Sequence, residues 1–131
     1  PKEWMEHWMD DLILSASDVD SYGILVMVLH SEIIGFCAIE EKAGYDEVMH
    51  LWLLPDHIGK GYGKILLDAA IANFVAKEKP IWALADPHAE PFYKKQGFVT
   101  FDKKESFPKG RFLPLMKKDY FRVLSNKKSP G

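Results

Sequence analysis

The sequence predicts a single α/β (α+β) domain built on a mixed central β-sheet flanked by helices. Three observations carry that prediction. Short runs of β-forming residues (24–30, 33–39, 48–54, 81–85) are punctuated by polar turns. One stretch, residues 47–76, switches from an apolar run through a cluster of glycines into a helical period. At 131 residues and 47% apolar content, the chain can bury about two-thirds of its unfolded surface around one core without metal or disulfide support.

At the amino end, Trp4, Met5, Trp8, Met9, Leu12 and Ile13 recur at helical spacing, so an amphipathic helix is expected over residues 3–15, its apolar stripe on the core. Asp18, Asp20 and Gly23 have the look of a calcium loop, but Tyr22 and Leu29 stand where oxygen ligands are required, and a solvated loop is expected instead. Ile24–His30 and Ile33–Ile39, joined by the polar pair Ser31-Glu32, read as an antiparallel hairpin. A loop over 40–46 then leads into the central strand.

That strand carries Val48, Met49, Leu51, Trp52, Leu53 and Leu54 and stops at Pro55; glycines follow at 59, 61 and 63. Beyond them Ile65, Leu66, Ala69, Ala70, Asn73, Phe74 and Lys77 mark one face of a helix. The first turn of a helix has unpaired N–H groups and a partial positive charge, and glycine lets an anion come close to the backbone. The pattern suits a phosphate. Dinucleotide and P-loop spacings both fail, because the third glycine comes one residue early with Ala83 where an acid is needed, and Lys64 is followed by Ile65. A turn that merely needs positive φ remains the alternative reading of the glycines alone.

A short strand at Ile81–Ala85 follows Pro80, and the run DPHAEPFYKKQGF spans Asp86 to Phe98. Ala89, Phe92, Tyr93 and Gln96 predict a short helix ended by Gly97 in the left-handed conformation, with an extended run from Phe98 to Asp102. A last strand, 111–116, contains Pro114, which points to an edge or a bulge. The domain is expected to occupy 1–124, with 125–131 a disordered tail.

A formal charge of −2 with no basic stripe argues against nucleic acid, and no apolar run approaches a membrane span. The lone Cys37, in an apolar strand, reads as a small buried hydrophobe, consistent with a reducing, cytoplasmic setting.

A strand ending in Leu-Pro, the turn HIGKGYG opening a long helix, and AEPFYKKQGF downstream together resemble the GNAT superfamily of N-acetyltransferases over residues 23–116. The resemblance implies a GNAT-like fold, acetyl-CoA as co-substrate, no metal, and transfer of the acetyl group to a primary amine on a small molecule or peptide. It implies that Leu51, Trp52 and Leu53 lie along the pantetheine arm, and that Ile58, Gly59, Lys60, Gly61, Tyr62, Gly63 and Lys64 cradle the diphosphate. Asp86 and Tyr93 also fall on the cofactor side, and Tyr93 matches the tyrosine that in several members protonates the departing thiolate. There are departures: Ile58 replaces a polar residue, Asp86 stands where many members have Asn, and members begin with a strand and helix ahead of the segment that starts here at Pro1. The first strand is therefore expected to be missing, leaving an open edge at Ile24 where two copies could pair as a homodimer. The acceptor side would draw on 4–13, 43–46 and 106–111. A non-catalytic acyl-CoA-binding module of the same fold is the alternative.

Acetyl transfer needs a neutral amine, a donor for the oxyanion and a proton for the thiolate. Glu47 and His50 are the candidate bases on the central strand, and alternation puts them on opposite faces. Glu47 lies fourteen residues before Gly61, where the histone-acetylating branch of the resembling family carries its glutamate, and it is the expected base. The oxyanion donor is expected to be a backbone N–H near Leu53.

Overall fold

The structure, a computed structural model, describes residues 4–8, 12–75, 79–106 and 109–119. In chain order the elements are β1 (Trp4–Trp8), β2 (Leu12–Val19), β3 (Tyr22–Leu29), β4 (Glu32–Glu41), β5 (Asp46–Leu53), a 3-10 turn (Pro55–His57), α1 (Tyr62–Phe74), β6 (Ile81–Leu84), α2 (Glu90–Lys95), β7 (Val99–Ser106) and β8 (Arg111–Lys118). The mixed-sheet α+β class is the one expected. The elements fall into two units: one holds β1 to β4, β5 from Val48 onward, and α1; the other holds Ala43–Glu47, β6, α2, β7 and β8.

In the first unit the strands lie side by side in chain order. The amino-terminal helix expected over 3–15 is not there: residues 4–8 and 12–19 are strands. Leu12, Leu14 and Ala16 are buried at every second position, and β2 pairs antiparallel with β3 along its whole length, from Leu12↔Leu29 to Val19↔Tyr22. The helix was read from Trp4, Met5, Trp8, Met9, Leu12 and Ile13 at three-and-four spacing, but from Leu12 onward the alternation and the pairing with a neighbouring strand outweigh that local periodicity. The edge expected to lie open at Ile24 is thus filled by β2, which removes the ground for expecting two copies to pair there. β2 and β3 meet in a tight turn at Asp20 and Ser21.

The β3–β4 hairpin forms as expected, its turn one residue earlier than the sequence suggested. His30 and Ser31 both have positive φ, 51° and 66°, the primed-turn geometry that matches strand twist. An irregularity in this pair leaves Ile34 without a partner opposite Met27 or Val28, so Ile34 is buried while Ile33 is exposed.

Helix α1 buries Leu66, Leu67, Ala70 and Ile71, a stripe centred slightly later than the one read from sequence. Leu66, Leu67 and Ile71 each contribute on the order of 1.5–3 kcal/mol by leaving water. Gly23 gives the Phe74 ring its place on the sheet, since a Cβ there would overlap the ring. Gly35 does the same for β5: its Cβ would sit 2.6 Å from the Trp52 carbonyl oxygen.

In the second unit the strand order is β6-β8-β7. Pro114 was expected at an edge or a bulge; β8 is in fact the inner strand, flanked on both sides. The Pro114 carbonyl accepts from Ala85 N–H at 2.9 Å, and the register irregularity lies between Thr100 and Asp102 of β7. Helix α2 ends as predicted. Gly97 has φ 97°, Phe98 N–H reaches back to the Tyr93 carbonyl at 3.0 Å, and Gly97 N–H to that of Lys94 at 3.0 Å. This is the Schellman pattern, completed by the edge-on contact of the Tyr93 and Phe98 rings, centroids 5.2 Å apart. The 125–131 tail lies outside the described residues.

Candidate active site

The site starts from β5, whose alternation the structure keeps. Asp46 and Val48 are buried, and His50 and Trp52 continue that face. There the Phe36 ring lies 6.1 Å from His50 and 6.0 Å from Trp52, centroid to centroid. Glu47, Met49, Leu51 and Leu53 take the opposite face, all half-buried. Trp52 is 44% exposed, so one of the three residues expected along the pantetheine presents a large apolar side chain to solvent.

Pro55 then ends the strand and opens the 3-10 turn, which closes when Ile58 N–H donates to the Pro55 carbonyl at 3.2 Å. Gly59 and Gly61 both have φ 87°, a conformation that costs other residues about 1–2 kcal/mol. A Cβ added to either would meet nothing within 4 Å. The turn is therefore open on the side where side chains would project.

Gly61 is also the residue that starts α1. Ile65 N–H closes the first helical bond onto its carbonyl at 3.3 Å, no side chain caps this end, and no acidic residue stands in the first turn. The N–H groups of the first turn carry a partial positive charge with no carboxylate competing for them. Gly63 sits within that turn. An anion of phosphate type fits this end of the helix.

The side chains around the turn refine the picture. Lys64 bonds Asp68 one turn on, at 2.6 Å, so its ammonium is engaged. Lys60 is exposed, with no partner among the described residues, and remains available to a ligand. Ile58, where a polar group was missed in the sequence, is 63% exposed and offers no hydrogen bond. Across the turn the His57 and Tyr62 rings approach to 5.9 Å.

The second unit holds Glu47, Asp86 and Tyr93. Asp86 shapes the turn before α2: its Oδ1 accepts from His88 N–H at 2.8 Å, its carbonyl accepts from Ala89 N–H at 2.8 Å, and Arg111 Nη2 stands 3.6 Å from Oδ2. The carboxylate expected on the cofactor side is already engaged by the protein. Tyr93 is 6% exposed, its ring held edge-on between Phe92 and Phe98. Of the expected acceptor side, the 4–13 segment is strand where described. Arg111 begins β8 and Ser106 ends β7.

Sequence reasoning passed over one feature. Asp46, read as the end of a loop, is only 1% exposed, and Lys79 Nζ lies 3.0 Å from its Oδ1. No local signal links residues so far apart in the chain.

Cys37 is fully buried, and burial pushes its thiol up to about 12, which leaves it a hydrophobe in practice. Among the described residues, no cluster of His, Cys, Asp and Glu could hold a metal, and no helix is long and apolar enough to cross a membrane.

The model of an acetyltransferase (GNAT) domain matches residues 20–100. No curated protein sequence matches the chain. Among solved structures, Escherichia coli ElaA is similar with a TM-score of 0.65 at 15% identity, over 78% of this chain and 70% of that one. The PaiA N-acetyltransferase of Thermoplasma acidophilum, in complex with coenzyme A, gives 0.62 at 24% identity, over 76% and 62%. Arabidopsis thaliana Naa50, in complex with the bisubstrate analogue CoA-Ac-MVNAL, gives 0.63 at 20% identity, over 72% and 71%. At these identities the structural likeness bears on the fold alone.

Proposed function

The chain belongs to the GNAT acetyltransferase family, and from that premise we propose that it is an acetyl-CoA-dependent N-acetyltransferase acting on a primary amine. The observation that supports this best is the amino end of α1: glycines at φ 87° before an uncapped helix with no acid in its first turn. Residues 58–64 would hold the diphosphate through backbone N–H groups, with Lys60 adding charge. Leu51 to Leu53 would follow the pantetheine arm. That two structural relatives were solved with coenzyme A or a coenzyme A conjugate agrees with the same reading.

On this reading Glu47 takes a proton from the ammonium of the acceptor, so that the neutral amine can attack the thioester carbonyl. A backbone N–H near Leu53 donates to the oxygen that becomes anionic, and the Tyr93 hydroxyl gives its proton to the departing thiolate. The products are the N-acetylated amine and free coenzyme A. Backbone donors are fixed before the reaction starts, which makes them effective without a matching side chain. The acceptor is a small molecule or a peptide amine, and the protein acts away from membranes and nucleic acid, in the cytoplasm.

The test has two arms. Acetyl-CoA should raise the melting temperature with concentration, as mass action requires of a ligand that binds the folded state, while NAD and ATP do less. An amine panel that includes spermidine and a peptide with a free amino terminus, read by thiol release, should then show turnover. A thermal shift with no thiol release from any amine would instead favour a non-catalytic acyl-CoA-binding module.

A further inference from the structure

Asp46 is the one fully buried charged residue among those described, and it is not held as a stabilising carboxylate would be. Lys79 Nζ stands 3.0 Å from Oδ1, but neither carboxylate oxygen receives a well-aligned hydrogen bond among the described residues. Burying a carboxylate is costly, and an ion pair returns that cost only with good geometry and further hydrogen bonds. Replacing a buried ion pair by apolar residues of similar volume is often neutral or stabilising. Stability is therefore a poor reason for this pair.

Its surroundings give a better one. Tyr45 stacks on Trp82 at 3.9 Å between centroids, 17° from parallel. Asp46 N–H donates to the Pro80 carbonyl at 3.0 Å, and the Asp46 side chain turns to Lys79. Three successive contacts thus tie 45–46 to 79–82. The next residue is Glu47, and because side chains alternate along a strand, fixing Asp46 inward fixes Glu47 on the opposite face.

We propose that Asp46 and Lys79 form a positioning pair that holds Glu47 at the angle its proton transfer requires. The pair does not touch the substrate. The proposal rests on the reading of Glu47 as base.

The test compares Asp46→Leu/Lys79→Met, Lys79→Arg and Glu47→Gln with the unaltered protein, using acetyl-CoA and spermidine or the peptide amine. The apolar double variant should melt at or above the original temperature and keep the acetyl-CoA shift, yet lose about 10-fold or more in kcat with little change in the KM for acetyl-CoA. That loss should shrink at high pH, where the amine is neutral without a base. Lys79→Arg, which keeps the cation beside Asp46, should retain most of the original rate. A folded double variant with full kcat beside an impaired Glu47→Gln overturns the pair's role and leaves the base in place. Full turnover by Glu47→Gln overturns the base, and the pair's role with it.

Discussion

Two helix ends in this protein are built on a glycine in the same conformation, and they do opposite things. Gly61 begins α1 at φ 87° and Gly97 follows α2 at φ 97°. At Gly97 the backbone closes on itself: Phe98 and Gly97 donate to the last carbonyls, aromatic rings seal the contact, and a Cβ would lie 3.2 Å from Lys118 Cε. At Gly61 no cap intervenes, and a Cβ would meet nothing within 4 Å. A satisfied end is structural, whereas an open end with its polar groups facing outward is where a ligand gains most. Positive φ alone does not tell the two apart; the partners do.

The largest expected effect separates chemistry from the open end. Glu47→Gln should lower turnover by about 10²-fold or more at neutral pH while leaving the acetyl-CoA melting shift intact. The deficit should narrow as pH rises. His50→Gln, on the other face beside Phe36, should change stability more than rate, and the reverse pattern would mean that the base sits on the His50 face.

Next come the glycines themselves. Gly61→Val should cost about 1–3 kcal/mol of stability for its left-handed backbone and abolish the acetyl-CoA shift, because a side chain then occupies the open side of the turn. Gly97→Ala should cost about 1–2 kcal/mol and leave that shift unchanged. If the folded Gly61→Val protein still responds to acetyl-CoA, the open end is not the binding site and the contrast collapses.

The lysines sharpen the comparison by a smaller margin. Lys60→Ala should weaken acetyl-CoA by about 2–5-fold, the worth of one exposed charge near a helix amino end. Lys64→Ala should do less, since its ammonium is already bound to Asp68. Equal effects by calorimetry would show that the Lys64 pair opens for the ligand.

The smallest effect lies in the core. Burial raises the Cys37 thiol from 9.0 to about 12, so in the folded state it stays protonated while the unfolded chain ionises. Stability should be unaffected below pH 9 and decline as pH climbs from 9 toward 12. Cys37→Ala should flatten that part of the curve in a pH series of melts.

What the sequence determined by itself was local. The glycine spacing, Pro55 as a strand stop, Gly97 as a helix stop and the period of α1 act within one turn of their neighbours, so residue type alone decides them. The β3–β4 hairpin was legible for the same reason. The amino-terminal strands were not, because Trp4, Met5, Trp8, Met9, Leu12 and Ile13 fall at helical spacing, and only the edge that β3 offers decides that β2 is a strand. Pro114 on an inner strand and Asp46 buried against Lys79 were likewise decided only when separate parts of the chain met. Burial and pairing depend on what arrives from elsewhere in the fold, and no window of sequence contains it.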